Sequence, residues 1–135
     1  MLDAEIIDTL IRRARDARSF SYAPYSNFHV GAALLCIDGS IYSGCNVENA
    51  AYSPGNCAER TAVFKAVSEG HTKFKAIAIV GEGDVTPPCG VCRQVLREFV
   101  VPQDFQVILA GHGSAYKIKS LEELLPLSFG PDNLI

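Results

Sequence analysis

The chain has 135 residues, 48% of them hydrophobic, with 12 Lys plus Arg against 15 Asp plus Glu and a formal charge of −3. That length suits one globular domain with a modest core, spanning residues 1–135, and two independent domains would not fit. No basic block is present and no apolar run approaches the ~20 residues of a bilayer span, so the sequence argues against a polynucleotide or a membrane as partner. Five cysteines (Cys36, Cys45, Cys57, Cys89 and Cys92) make an odd count in a domain large enough to fold without disulfides, and Met1–Glu5 carries no secretory apolar segment. The expectation is a reducing, cytoplasmic setting, where spaced cysteines serve metal or redox chemistry.

In chain order, the spacing of Leu2, Ile6, Ile7, Leu10, Ile11, Ala14 and Ala17 predicts an amphipathic helix from about Asp3 to Ser19, with Arg12, Arg13, Asp16 and Arg18 on a solvated face. A turn-rich loop, Tyr22–Asn27, follows. Phe28–Ile37 reads as a strand, Asp38-Gly39 as a tight hairpin with both central residues at positive φ, and Ile41–Cys45 as the returning strand. Cys57–Glu69 is predicted helical and stopped by Gly70. Lys75–Val80 is a short strand, and a second core helix runs from near Cys89 to about Phe99. Phe105–Ala110 and Tyr116–Ile118 are further strands, and Leu121–Leu125 is a last helical turn halted by Pro126. Helices separating single strands favour an α/β fold, a three-layer α/β/α sandwich around a mixed five-stranded sheet.

Cys57, Cys89 and Cys92 all stand at helix starts, where unpaired backbone N–H groups favour thiolates. If both helices begin at the same sheet edge, the three sulfurs converge, and a soft three-thiolate set suits zinc with its fourth position open. Glu59, two residues past Cys57, is then placed to exchange protons with a water that the metal acidifies. Asn46 and Glu48 share a face by strand periodicity, and both side chains suit hydroxyl groups.

These residues carry a resemblance. Asn56-Cys57-Ala58-Glu59-Arg60 and Pro88-Cys89-Gly90-Val91-Cys92-Arg93-Gln94-Val95-Leu96 resemble the two signature helices of the cytidine deaminases of the short type with three cysteine ligands. Ser26–Leu34, Gly44–Ala50, Leu124–Pro126 and Phe129–Pro131 are similar to the same family, so the likeness covers nearly the whole chain. The resemblance implies one Zn²⁺ per chain on Cys57, Cys89 and Cys92, with Glu59 as proton shuttle. The implied reaction is hydrolytic deamination of cytidine and deoxycytidine to uridine and deoxyuridine, with ammonia released in pyrimidine salvage. It further implies that Asn46, Val47 and Glu48 grip the ribose, that Phe28 packs on the pyrimidine, and that the Ala58 N–H bonds the base carbonyl. Arg60, and less strongly Gln94, would support the thiolates. Ala50, Tyr52 and Phe129 resemble pieces that complete a neighbouring subunit's pocket in a homotetramer. Cys36 and Cys45 read as packing residues.

Three other readings remain open. Ser53-Pro54-Gly55 departs from the family's commoner loop, which admits a different aminopyrimidine substrate. Cys89-x-x-Cys92 also suits a thiol-disulfide oxidoreductase, and a structural zinc module would need a fourth ligand such as Cys45 or a His.

Overall fold

The computed structural model describes residues 2–135. Helix α1 (Ala4–Arg18) is capped by Asp3, whose carboxylate accepts from Ile6 N at 2.9 Å. Strands β1 (Gly31–Cys36) and β2 (Ile41–Cys45) form a hairpin, followed by α2 (Ala58–Ser68), β3 (Phe74–Val80), α3 (Gly90–Arg97), β4 (Gln106–Ala110) and β5 (Tyr116–Ser120). A short α4 (Leu121–Leu124) and a 3₁₀ turn at Pro131–Asn133 complete the chain.

The sheet order is β2-β1-β3-β4-β5; β3 and β4 are parallel and the other neighbours antiparallel. Period-two alternation sends Ala33, Leu35, Ala76, Ala78 and Ile108 to one face, where they meet Ile7, Leu10, Ile11 and Ala14 of α1. Ala32, Leu34, Ile77, Ile79 and Val107 go to the other, against Ala62, Val63 and Ala66 of α2 and Leu96 of α3. The expected three-layer sandwich with a mixed five-stranded sheet is the fold observed.

Three local expectations need correction. The hairpin is not a two-residue turn with both central residues left-handed, since only Gly39 has a positive φ, +95°. Gly39 N bonds to Cys36 O and Cys36 N to Ser40 O, which makes a three-residue connection closed by a left-handed glycine, while the Asp38 carboxylate takes the Ser40 N and Oγ. The first strand begins at Gly31 rather than Phe28, because the Asn46 side chain replaces the ladder there: it accepts from Val30 N at 2.9 Å and donates to Phe28 O at 2.8 Å. Arg18 does not belong to a solvated face. Its guanidinium donates to His29 O and pairs with Glu82 at 2.5 Å, tying the end of α1 to the loop after β3.

Gly44 sets how closely α2 lies on β2, since a Cβ there would stand 2.6 Å from Ala62 N and 2.9 Å from Ala58 O, both backbone atoms. Replacing Gly44 with Ala is therefore expected to destabilise the protein by about 1–3 kcal/mol through overpacking. The denaturant midpoint measures this, and an unchanged midpoint would show that α2 has slack.

Candidate active site

Both β2 and β3 run antiparallel to β1, so their carboxyl ends lie at one sheet edge and the helices that follow them start there together. Cys57 is the N-cap of α2 and Cys89 the N-cap of α3, while Cys92 lies in the first turn of α3. The Cys89 sulfur accepts from Cys92 N at 3.5 Å, as a capping side chain does. The three sulfurs all lie within 4.8 Å of one another, and Cys57 Sγ is 3.8 Å from Cys89 Sγ. Tetrahedral zinc with bonds of about 2.3 Å to sulfur separates its thiolates by about 3.8 Å. The donor set therefore fits zinc in chemistry and in spacing. Among the described residues no fourth Cys, His or carboxylate joins this trio, so the closed structural site is not built. Cys36 is buried in the core facing α2, and Cys45 is half-buried on β2.

Arg60 sits one turn past Cys57 and donates from Nη2 to its sulfur at 3.2 Å. The pKa of the Cys57 thiol is lowered by the neighbouring Cys92 thiol and then by Arg60, against the opposing effect of burial. Glu59, only 5% exposed, is pushed the other way: burial raises its pKa to about 7, and the neighbouring Cys57 charge adds to the rise. A carboxyl poised near neutrality can take up or release a proton at little cost. Ala58, between ligand and acid, is fully buried as the first residue of α2, where the helix itself does not use the N–H.

The side chains expected to meet substrate occupy the adjoining loops. Val47 and Phe28 are 43% and 42% exposed, well short of a core position. The Asn46 amide is engaged with Phe28 and Val30, as above, and its Oδ1 also accepts from Ser21 Oγ. Glu48 accepts from Tyr25 N at 2.9 Å, from Ser26 N at 3.1 Å and from Ser26 Oγ. Gln94 donates to Phe129 O at 2.9 Å, so its visible tie is to the C-terminal segment. Ala50, Tyr52 and Phe129 are exposed, Tyr52 fully. Sequence reasoning gave no part to Ser21 or Ser26. The one signal available was that Ser26 opens a segment already singled out.

A thiolate tripod at two helix N-termini, with a buried acid two residues past Cys57, defines a class: an α/β enzyme of metal-assisted hydrolysis. The family model for the cytidine and deoxycytidylate deaminase zinc-binding region matches residues 4–108. A cytidine deaminase from Sporosarcina psychrophila is 49% identical over 95% of this chain and 94% of its own length. One from Halalkalibacterium halodurans is 48% identical over 93% and 95%. The crystal structure of the cytidine deaminase from Burkholderia pseudomallei superposes with a TM-score of 0.85 at 48% identity, covering 90% of this chain and 98% of that one. The chain belongs to the cytidine deaminase family.

If Arg60 holds the Cys57 thiolate, Arg60→Ala should lose zinc to a chelator with roughly 10–100-fold weaker retention. Zinc content after chelator titration reads this directly, and wild-type retention would reduce Arg60 to a packing role.

Proposed function

We propose that this chain uses one Zn²⁺ to hydrolyse cytidine and deoxycytidine to uridine and deoxyuridine with release of ammonia, serving pyrimidine salvage in the cytoplasm. The observation that carries the reading is Glu59, buried beside three convergent sulfurs but absent from their ligand group. No described helix is long and apolar enough to cross a membrane.

Zinc held by Cys57, Cys89 and Cys92 supplies the acidity that makes water a nucleophile near neutral pH. Glu59 accepts a proton from the attacking water and delivers it to the ring nitrogen beside the amino-bearing carbon. The same carboxyl then carries the second water proton to the amino group, which leaves as ammonia, so nucleoside plus water gives the oxo nucleoside plus ammonia. One group serves both transfers because its proton returns between steps. The Ala58 N–H holds the base carbonyl, Phe28 packs on the ring, and Asn46, Val47 and Glu48 hold the sugar. Arg60 offsets the negative charge of three thiolates, and Gln94 supports that end of α3 from its tie to Phe129.

A homotetramer in which Ala50, Tyr52 and Phe129 of one copy close a neighbour's pocket accounts for the exposure of Tyr52 and Phe129 together with Phe20 and Tyr25, each well over half exposed. Ammonia release from cytidine, deoxycytidine, cytosine, CMP and adenosine tests the substrate class. Turnover should favour the first two, and preference for CMP or adenosine would overturn it. Glu59→Gln should keep its zinc while kcat falls by roughly 10²–10⁴-fold. Loss of the metal, or turnover near wild type, would remove Glu59 from the chemistry.

A further inference from the structure

We propose that Ser26 is a positioning residue of the nucleoside pocket, whose one hydroxyl ties the Glu48 carboxylate to the backbone of Phe28 and so sets sugar and base recognition together. The inference rests on the reading above that Glu48 holds the sugar and Phe28 the base. Ser26 Oγ donates to Glu48 Oε2 and accepts from Phe28 N at 3.0 Å. The direction of this relay is forced, because an amide N–H only donates and an ionised carboxylate only accepts. A serine hydroxyl has the one proton and the free lone pair that both ends require, and bonds linked in this way polarise one another.

The loop around the relay is arranged to keep it. Asn27, between Ser26 and Phe28, is left-handed at φ +56°, a conformation asparagine tolerates, and Asn27 N bonds to Ala23 O at 3.0 Å. That reversal brings Phe28 N back onto the Ser26 hydroxyl. On its other side, Phe28 O is held by Asn46 Nδ2 at 2.8 Å. Both backbone polar groups of Phe28 are thus pinned by side chains rather than by a sheet ladder.

Glu48 is committed in the same way. A carboxylate offers about four acceptor sites. Tyr25 N, Ser26 N and Ser26 Oγ take three of them, the two amides both on Oε1, which leaves one on Oε2 for an incoming hydroxyl. The Ser26 hydroxyl is also the leading cause of a Glu48 pKa below the usual carboxylate range, so the acceptor stays ionised. Without Ser26, Glu48 keeps its backbone anchors but loses the bond that orients Oε2, and Phe28 N loses its partner.

Steady-state kinetics on cytidine with the zinc-loaded enzyme test this. Ser26→Ala should raise KM about tenfold, the scale of a lost bond to a charged group, while kcat stays within about twofold. Ser26→Thr keeps the hydroxyl and should bring KM to within about threefold of wild type. In a Glu48→Ala background the further effect of Ser26→Ala should shrink to less than about threefold, because two residues acting through one contact are not additive. A wild-type KM in Ser26→Ala, or an undiminished Ser26→Ala effect in the Glu48→Ala background, overturns the proposal and leaves the reaction assignment standing. A wild-type KM in Glu48→Ala itself instead overturns the sugar assignment, and the relay with it. Should Ser26→Ala fail to fold, Ser26→Cys, a weak donor and weak acceptor, carries the same expectations.

Discussion

The arrangement at the thiols depends on strand direction. With β1 antiparallel to both of its neighbours, β2 and β3 point the same way, and the helices that follow them must begin side by side at the carboxyl edge of the sheet. Open α/β sheets generally bind ligands at that edge. Here the edge presents two helix N-termini, each carrying roughly half a positive charge, whose N-cap residues are Cys57 and Cys89, the latter capping through its sulfur. The height of α2 over the sheet is in turn limited by Gly44, where backbone meets backbone with no space for a Cβ.

That geometry shifts two acidities in opposite directions. In water a carboxyl is far more acidic than a thiol. At this site Cys57 is lowered while Glu59, two residues away, is raised to about 7. The cause is a difference in partners. The Cys57 sulfur accepts from Arg60 and lies beside the other two thiols, whereas Glu59 is buried with the Cys57 charge beside it. Such an environment suits a thiol that would bind a metal as an anion and an acid that would still move a proton, the separation the proposed hydrolysis needs. Three thiolates on a divalent metal would leave a net negative charge, and the Arg60 guanidinium, which meets the Cys57 sulfur directly, would offset it.

Much of this was legible in the sequence for a local reason. The period of the apolar residues gave each helix and strand to within a few residues, and Cys89-x-x-Cys92 and Cys57-x-Glu59 are short enough for one helical turn to decide their geometry. What escaped depends on partners distant in sequence. The late start of β1 is set by Asn46, sixteen residues beyond the Val30 amide that it binds. Arg18 reads as a surface residue until Glu82, sixty-four residues on, arrives beside it. A two-residue rule fails at Asp38-Gly39, because the pairing of Cys36 with Ser40 enforces a three-residue connection. Gln94 lies on the signature helix, yet its amide turns to Phe129, thirty-five residues later.

The two halves of the site are therefore anchored by different means. The thiols and Glu59 stand on helix starts fixed by sheet topology. The loop carrying Phe28 is held instead by Asn46, Glu48 and Ser26, side chains that can be altered while the sheet stays intact. On the proposed roles, substitution in that loop would retune which nucleoside is held, whereas the arrangement proposed to move the proton is tied to the fold itself. The ties of the loop meet at Phe28, whose carbonyl is bound to the strand end bearing Asn46 and whose amide is tied, through one hydroxyl, to Glu48.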